Sequence, residues 1–170
     1  PEYVTLDSPT QKVGGSAKRE AGVLVEHNVP MLSLQDVFDR GEVENFVAEM
    51  KKQLDDPEFV VEYKIDGLSL SLRYEYGELK LAETRGDGIQ YGEDVTANAK
   101  VIRDVKKKLK DKPEYLEIRG EVYMTEADFE KVNEKQELLG KKLFANPRNC
   151  AAGTLRQLDT AVTKERGLSM

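Results

Sequence analysis

From Leu68 to Tyr74 apolar and polar side chains alternate without a break. Leu68, Leu70, Leu72 and Tyr74 fall on one side, and Ser69, Ser71, Arg73 and Glu75 on the other. A period of two predicts a strand with one buried face. Gly77 marks a turn, and "ELKLAETR" returns as the partner strand, with Leu79 and Leu81 expected on one face. Upstream the period is different. Val43, Phe46, Val47, Met50 and Leu54 recur at helical spacing, with Ser33 and Asp36 as the expected cap and Asp55-Asp56-Pro57 as the stop. Residues 59–64 predict a strand. In "VTANAKVIRDVKKKL", Val95, Ala99 and Ile102 predict one helical face. "YLEIRGEVYM" predicts a further strand, with Leu116, Ile118, Gly120 and Val122 opposite Glu117, Arg119, Glu121 and Tyr123. Thr125 with Asp128 caps the helix that follows, and Pro147 opens a small-residue helix after a short extended piece. Antiparallel hairpins with separated helices make the fold class α+β. Residues 1–30, rich in turn formers such as Asp7-Ser8-Pro9 and Gly14-Gly15, predict an extended opening segment.

Composition narrows the function classes. The chain has 170 residues, 39% hydrophobic and 34% charged, which suits one globular domain with a core. No apolar run approaches the roughly 18 residues that span a bilayer, so no membrane partner is expected. One cysteine, Cys150, and one histidine, His27, leave no disulfide framework, no zinc site and no Ser-His or Cys-His triad. Cys150 reads as packing and His27 as a structural histidine. A reducing, cytoplasmic compartment is the expectation. The net charge of −6 argues against a dedicated nucleic-acid clamp, though not against a local basic patch. "GDGIQYG" is not G-x-G-x-x-G, because its third glycine falls one position late, and no dinucleotide-binding fold follows from it.

The candidate chemistry centres on Lys64 in "EYKIDGLSLSL". A lysine attacks phosphorus only as the neutral amine, which requires burial or a nearby cation. A strand end beside a glycine-assisted bend can point such an amine into a cleft. K-x-D-G alone equally fits a solvated ion pair of Lys64 with Glu62 and Asp66. Taken without other context, Glu62 and Glu121 fit exposed strand carboxylates, and Arg85 fits a hairpin end. Arg148 and Arg156, eight apart, fit one basic helix side.

Four further segments change this balance: "DSPTQKVGG", "VPMLSLQDVF", "TRGDGIQYGEDVT" and "FANPRNCAAGTLRQLD". "EYKIDGLSLSL" resembles the nucleotidyl-lysine motif of the covalent nucleotidyltransferases. With the four segments, the chain resembles bacterial NAD-dependent DNA ligase over essentially its whole length. The resemblance implies an antiparallel-sheet nucleotidyltransferase fold of the ATP-grasp or DNA ligase-like kind, and Lys64 as the residue adenylated by NAD. AMP would then pass to a nick 5′-phosphate. It implies that Glu62, Ser33 and Leu34 line the adenine pocket and that Arg85 lies near the ribose. Asp66 and Gly67 would hold the lysine loop. Glu121 would meet the ribose or a magnesium ion, and Arg148 and Arg156 the nucleotide and nick phosphates. Nicked double-stranded DNA is the implied partner, mainly through other domains, and a monomer is expected. The chain then corresponds to the front part of the adenylation domain, residues 1–170. The NMN-binding, OB, zinc-finger, helix-hairpin-helix and BRCT domains would lie outside it, so the piece by itself is expected to adenylate weakly or not at all and not to seal nicks. Two other readings stay open: an adenine-nucleotide-binding module without catalysis, and an ATP-dependent nucleotidyltransferase.

Overall fold

A computed structural model describes residues 22–170. The opening segment before Gly22, with "DSPTQKVGG", lies outside the described residues. The centre is a three-stranded antiparallel sheet in the order β3-β2-β5, made of β2 (Leu68–Glu75), β3 (Glu78–Thr84) and β5 (Tyr115–Val122). A second, two-stranded sheet pairs β1 (Leu24–Glu26) with β4 (Tyr91–Glu93). The helices are α1 (Arg40–Gln53), α2 (Thr96–Ala99), α3 (Glu126–Leu138), α4 (Pro147–Leu155) and α5 (Thr160–Arg166). The α+β class with antiparallel strands is therefore observed.

The alternation in β2 divides the sheet into two faces. Leu70, Leu72 and Tyr74 point into the core with Val122 of β5, where Val95, Ala99, Ile102, Val132, Ala151, Leu155 and Leu168 cover them. Cys150 is buried among them. Burial pushes its thiol above the ordinary range, against smaller lowering effects of Arg166 and Thr154, which makes it a poor nucleophile. The opposite face carries Ser69, Ser71 and Arg73, paired across to Glu121, Arg119 and Glu117. One face is thus dry and the other polar, and the cleft lies on the polar face.

Four elements differ from the expectation. Leu79 and Leu81 do not share a face. A bulge at Lys80 makes Tyr74 oppose Leu79 and Arg73 oppose Leu81, so Leu79 and Ala82 enter the core and Leu81 turns away. The helix after Val95 is a single turn. Just past it the amides of Val101 and Ile102 bond to the carbonyls of Asn98 and Ala99, three residues back, and Arg103 N–H donates to Leu168 O. The chain beyond is drawn to the β2–β3 turn, where Leu79 N–H donates to Lys107 O and Leu109 N–H to Gly77 O. Val95, Ala99 and Ile102 reach the core all the same. Ser33 is not a helix cap. Asp39 accepts from Glu42 N–H at 2.9 Å, while the Glu42 carboxylate accepts from Phe38 N–H at 2.6 Å, a reciprocal box six residues further on.

Residues 59–64, finally, form no strand. They have no ladder partner among the described residues, and an unpaired segment gains no cross-strand hydrogen bonds. Its apolar side chains lie in the open, with Val61 and Tyr63 each 96% exposed. The stripe on α1 is unburied too, and Phe46 meets Phe59 edge-on at 6.2 Å.

Two features at the chain's end escaped the sequence reading. α5 is capped by Asp159 and closed by Gly167 at φ 71°. Ser169 and Tyr123 exchange both backbone hydrogen bonds, at 2.9 and 3.0 Å, which docks the last residues beside β5.

Candidate functional site

On the polar face of the sheet lies a cleft of about 630 Å³, a volume suited to a small ligand. Its floor comes from the sheet: Ser69 of β2 and Arg119, Gly120 and Glu121 of β5. One wall is the strap before α1, with Met31, Leu32, Ser33, Leu34 and Asp36. The other is the segment Glu62, Tyr63, Lys64 and Ile65. Arg85, just past β3, and Arg148, in the first turn of α4, complete the lining.

Seven residues singled out in the sequence therefore meet in one place: Ser33, Leu34, Glu62, Lys64, Arg85, Glu121 and Arg148. They come from five separate stretches of chain. Lys64 and Glu62 are exposed at the cleft wall, so the described residues do not supply the burial considered for the lysine. Glu121 is half-buried and accepts a hydrogen bond from Ser69 Oγ at 2.9 Å. Arg85 Nη1 donates to Ser33 Oγ at 3.1 Å, which joins the strap to the exit of β3.

Asp66 and Gly67 stand behind the lining. Asp66 Oδ1 lies 3.3 Å from Arg148 Nη1, with both groups largely exposed. Gly67 is buried against β5, where a Cβ would meet Val122 O at 2.2 Å. Only glycine lets the chain pass from the lysine loop into β2 at that distance. Arg156 is not part of the cleft. It is the C-cap residue of α4, at the end of the helix away from Arg148, and its Nε donates to Glu93 Oε2 at 2.5 Å. Eight residues put the two arginines on one side, but the helix separates them by roughly 12 Å along its axis.

Sequence reading missed Arg119, Tyr63, Asp36 and Ser69. Arg119 had a visible signal, since it sits two residues before Glu121 and so shares its face. Its guanidinium donates to Val29 O at 2.6 Å, to Pro30 O at 2.8 Å and to Glu117 Oε1 at 2.7 Å. On the next strand Arg73 donates to Glu26 O at 2.6 Å and Asn28 Oδ1 at 3.1 Å. Two arginines thus fasten the strap onto the polar face.

The loop after Arg85 is built around Asp87. Its Oδ1 accepts from the backbone N–H groups of Ile89, Gln90 and Tyr91, at 2.8 to 3.0 Å. Those bonds, with that from Tyr91 the largest, hold the Asp87 carboxyl below the usual aspartate range. A folded-state value below the unfolded one means stabilisation that is present above about pH 4 and is lost as pH falls through the lower folded value. Protection of the Ile89, Gln90 and Tyr91 amides, taken relative to their intrinsic exchange rates from pH 5 to pH 2, is expected to hold down to about pH 4 and to fall only below it. Asp87→Ala removes that step. Protection already lost at pH 4 in the parent would show that the carboxylate does not hold the loop.

Among the described residues, no three His, Cys, Asp or Glu side chains gather into a metal-binding set, and no helix is long and apolar enough to cross a membrane. A magnesium ion usually takes only one or two carboxylates and completes its shell with water and substrate phosphate. The single Glu121 carboxylate on the cleft floor fits that kind of ion and not a closed protein cage.

The family model described as NAD-dependent DNA ligase adenylation domain matches residues 22–170. A Clostridium kluyveri protein named DNA ligase is 55% identical over 170 residues, covering 100% of this chain and 25% of that protein. Proteins with the same name from Cereibacter sphaeroides and Lactobacillus acidophilus are each 54% identical. They cover 95% and 99% of this chain, and 23% and 25% of their own lengths. The chain spans about a quarter of the length of the curated relatives it matches.

Proposed function

Because the chain belongs to the family of NAD-dependent DNA ligase adenylation domains, we propose that its cleft is the adenylate site of a nick-sealing enzyme and that Lys64 is the nucleophile. The observation that carries this reading is the meeting, in one cleft, of Lys64 with Glu62, Ser33, Arg85, Glu121 and Arg148. The fold is then the nucleotidyltransferase fold, and residues 1–170 are the front part of its adenylation domain.

The chemistry follows from the groups present. The neutral Nζ of Lys64 attacks the α-phosphorus of NAD. A nitrogen–phosphorus bond forms, the bond to the nicotinamide mononucleotide oxygen breaks, and the amine gives up a proton. AMP is left on Lys64 as a phosphoramidate. A nick 5′-phosphate oxygen then displaces the lysine, and the adjacent 3′-hydroxyl displaces AMP to close the phosphodiester. Negative charge grows on phosphoryl oxygens at each stage, and pre-placed cations stabilise it. Arg85, Arg119 and Arg148 are the guanidinium groups of this cleft. Leu32, Leu34, Met31 and Tyr63 offer apolar surface to the base, and Glu62 and Ser33 offer polar atoms to its edge. Glu121 would hold magnesium together with substrate phosphate, and the ion would supply further charge neutralisation.

The test is intact-mass spectrometry of the chain with magnesium and either NAD or ATP. Slow gain of one AMP from NAD and none from ATP is the expected result. Gain from ATP alone would overturn the NAD assignment. A second reading, that this chain by itself binds adenine nucleotide without reaching the adduct, is favoured by the exposed position of Glu62 and Lys64. Nucleotide binding with no mass gain would identify it.

A further inference from the structure

β1 leads directly into His27, whose ring is fully covered. Its Nε2 lies 3.0 Å from Arg85 O. A carbonyl only accepts, so this nitrogen carries hydrogen and donates. Its Nδ1 lies 3.1 Å from Glu83 Oε1, which also receives Arg73 Nη2 at 2.5 Å. Glu83 is 1% exposed and Arg73 12%. A Cβ at Gly92 would meet Thr84 O at 2.0 Å and come within 2.9 Å of His27 Cε1. Glycine there leaves room for the imidazole. Six residues further along the same strap, Ser33 Oγ accepts from the Arg85 guanidinium at 3.1 Å. One residue, Arg85, is therefore held at both ends: its carbonyl by His27 Nε2–H and, within its own turn, by Gly88 N–H at 2.7 Å, and its side chain by Ser33.

We propose that His27 is a positioning residue for the nucleotide cleft. Its Nε2–H fixes the Arg85 carbonyl, and through it the direction in which the Arg85 guanidinium and the Ser33 hydroxyl face the cleft. It does not line the cleft itself. The geometry separates this role from plain core filling. An apolar ring would fill the same space but would leave the Arg85 carbonyl with only the Gly88 amide to hold it. The inference rests on the reading of the cleft as an adenylate site, but its test is partly independent of that reading.

Two substitutions split the two ring contacts. In His27→Gln the amide nitrogen reaches the place of Nε2. In His27→Asn it reaches only the place of Nδ1. Both lose the ring, so both lower thermal stability to a similar degree. The Arg85 side-chain NMR signal is expected to stay near its parent position in the glutamine variant and to move or broaden in the asparagine variant. AMP affinity should follow it, kept within about threefold by glutamine and reduced about tenfold by asparagine, the scale of one hydrogen bond. If the Arg85 signal is unchanged in His27→Asn, or if both variants shift it equally, the positioning role is wrong. If the parent chain binds no AMP, the adenylate reading fails, and the Arg85 signal still decides the proposal.

Discussion

With Lys64 changed to alanine, the chain incubated with NAD and magnesium is expected to stay at its own mass. Lys64 supplies the only nitrogen the proposed step uses, and removing a covalent nucleophile commonly lowers such a step on the order of 10⁴-fold or more. Lys64→Arg separates charge from chemistry. A guanidinium keeps the positive charge but cannot be deprotonated in a protein, so it cannot attack. The arginine variant is expected to bind AMP about as well as the parent and to form no adduct. Adduct persisting in Lys64→Ala would place the nucleophile elsewhere. Adduct in Lys64→Arg but not in the alanine variant would mean that another group attacks and that Lys64 supplies only positive charge.

Gly67→Ala is expected to damage both the fold and the site. The new Cβ would lie 2.2 Å from Val122 O, 3.0 Å from Val122 C and 3.1 Å from Glu121 Cγ. The first two are backbone atoms of β5 that cannot rotate aside, and Leu68 opposite Val122 is the first rung of the β2–β5 ladder. Relief requires the lysine loop to move off β5, carrying Lys64 and Asp66 away from Glu121. Overpacking of this kind costs about 1–3 kcal/mol, a fall in melting temperature of roughly 3–10 °C for a domain of this size. Adduct formation should fall at least about tenfold as the geometry opens. Gly140→Ala is the control. Gly140 has φ 62° but no atom within 4 Å of the added Cβ, so it strains a distant turn and leaves the cleft intact. Equal loss of adduct in both variants would show that general destabilisation, and not the lysine loop, is responsible.

The elements legible in the sequence share one property: their cause is local. Alternation in β2 and β5 is a covalent period of two, and it assigns Leu70 and Glu121 to opposite faces before any partner is known. Thr125 with Asp128, and Pro147 at the start of α4, are signals within one turn of helix. The α5 helix was missed although Asp159 and Gly167 mark its two ends just as locally. Its short apolar pattern concealed it.

What failed depended on neighbours. The Lys80 bulge, which sends Leu81 away from Leu79, arises from how β3 pairs with β2 and has no signature in β3 alone. The apolar run at residues 59–64 has strand character, yet a strand exists only where another strand takes its hydrogen bonds. Arg148 and Arg156 lie eight apart on one helix. Yet one lines the cleft beside Asp66 and the other binds Glu93, because the start of α4 faces the lysine loop and its end faces β4 of the second sheet.

The candidate site divides the same way. Its residue types, and above all Lys64 in its lysine–aspartate–glycine setting, are written in the chain. So is the polar face that carries Ser69, Arg119 and Glu121. Their assembly is not. Lys64 is 57 residues from Glu121 and 84 from Arg148 in the chain, and only the crossing of strap, sheet and α4 brings the three into one cleft. The hold of Arg73 and Arg119 on the strap, and of His27 from the strap onto Arg85, is likewise a long-range arrangement of hydrogen bonds. Local periodicity and covalent geometry let the sequence by itself determine the faces and the chemical inventory. The tertiary structure alone decided which of those groups meet, because contacts between distant residues are fixed by packing and by the pairing of buried polar groups.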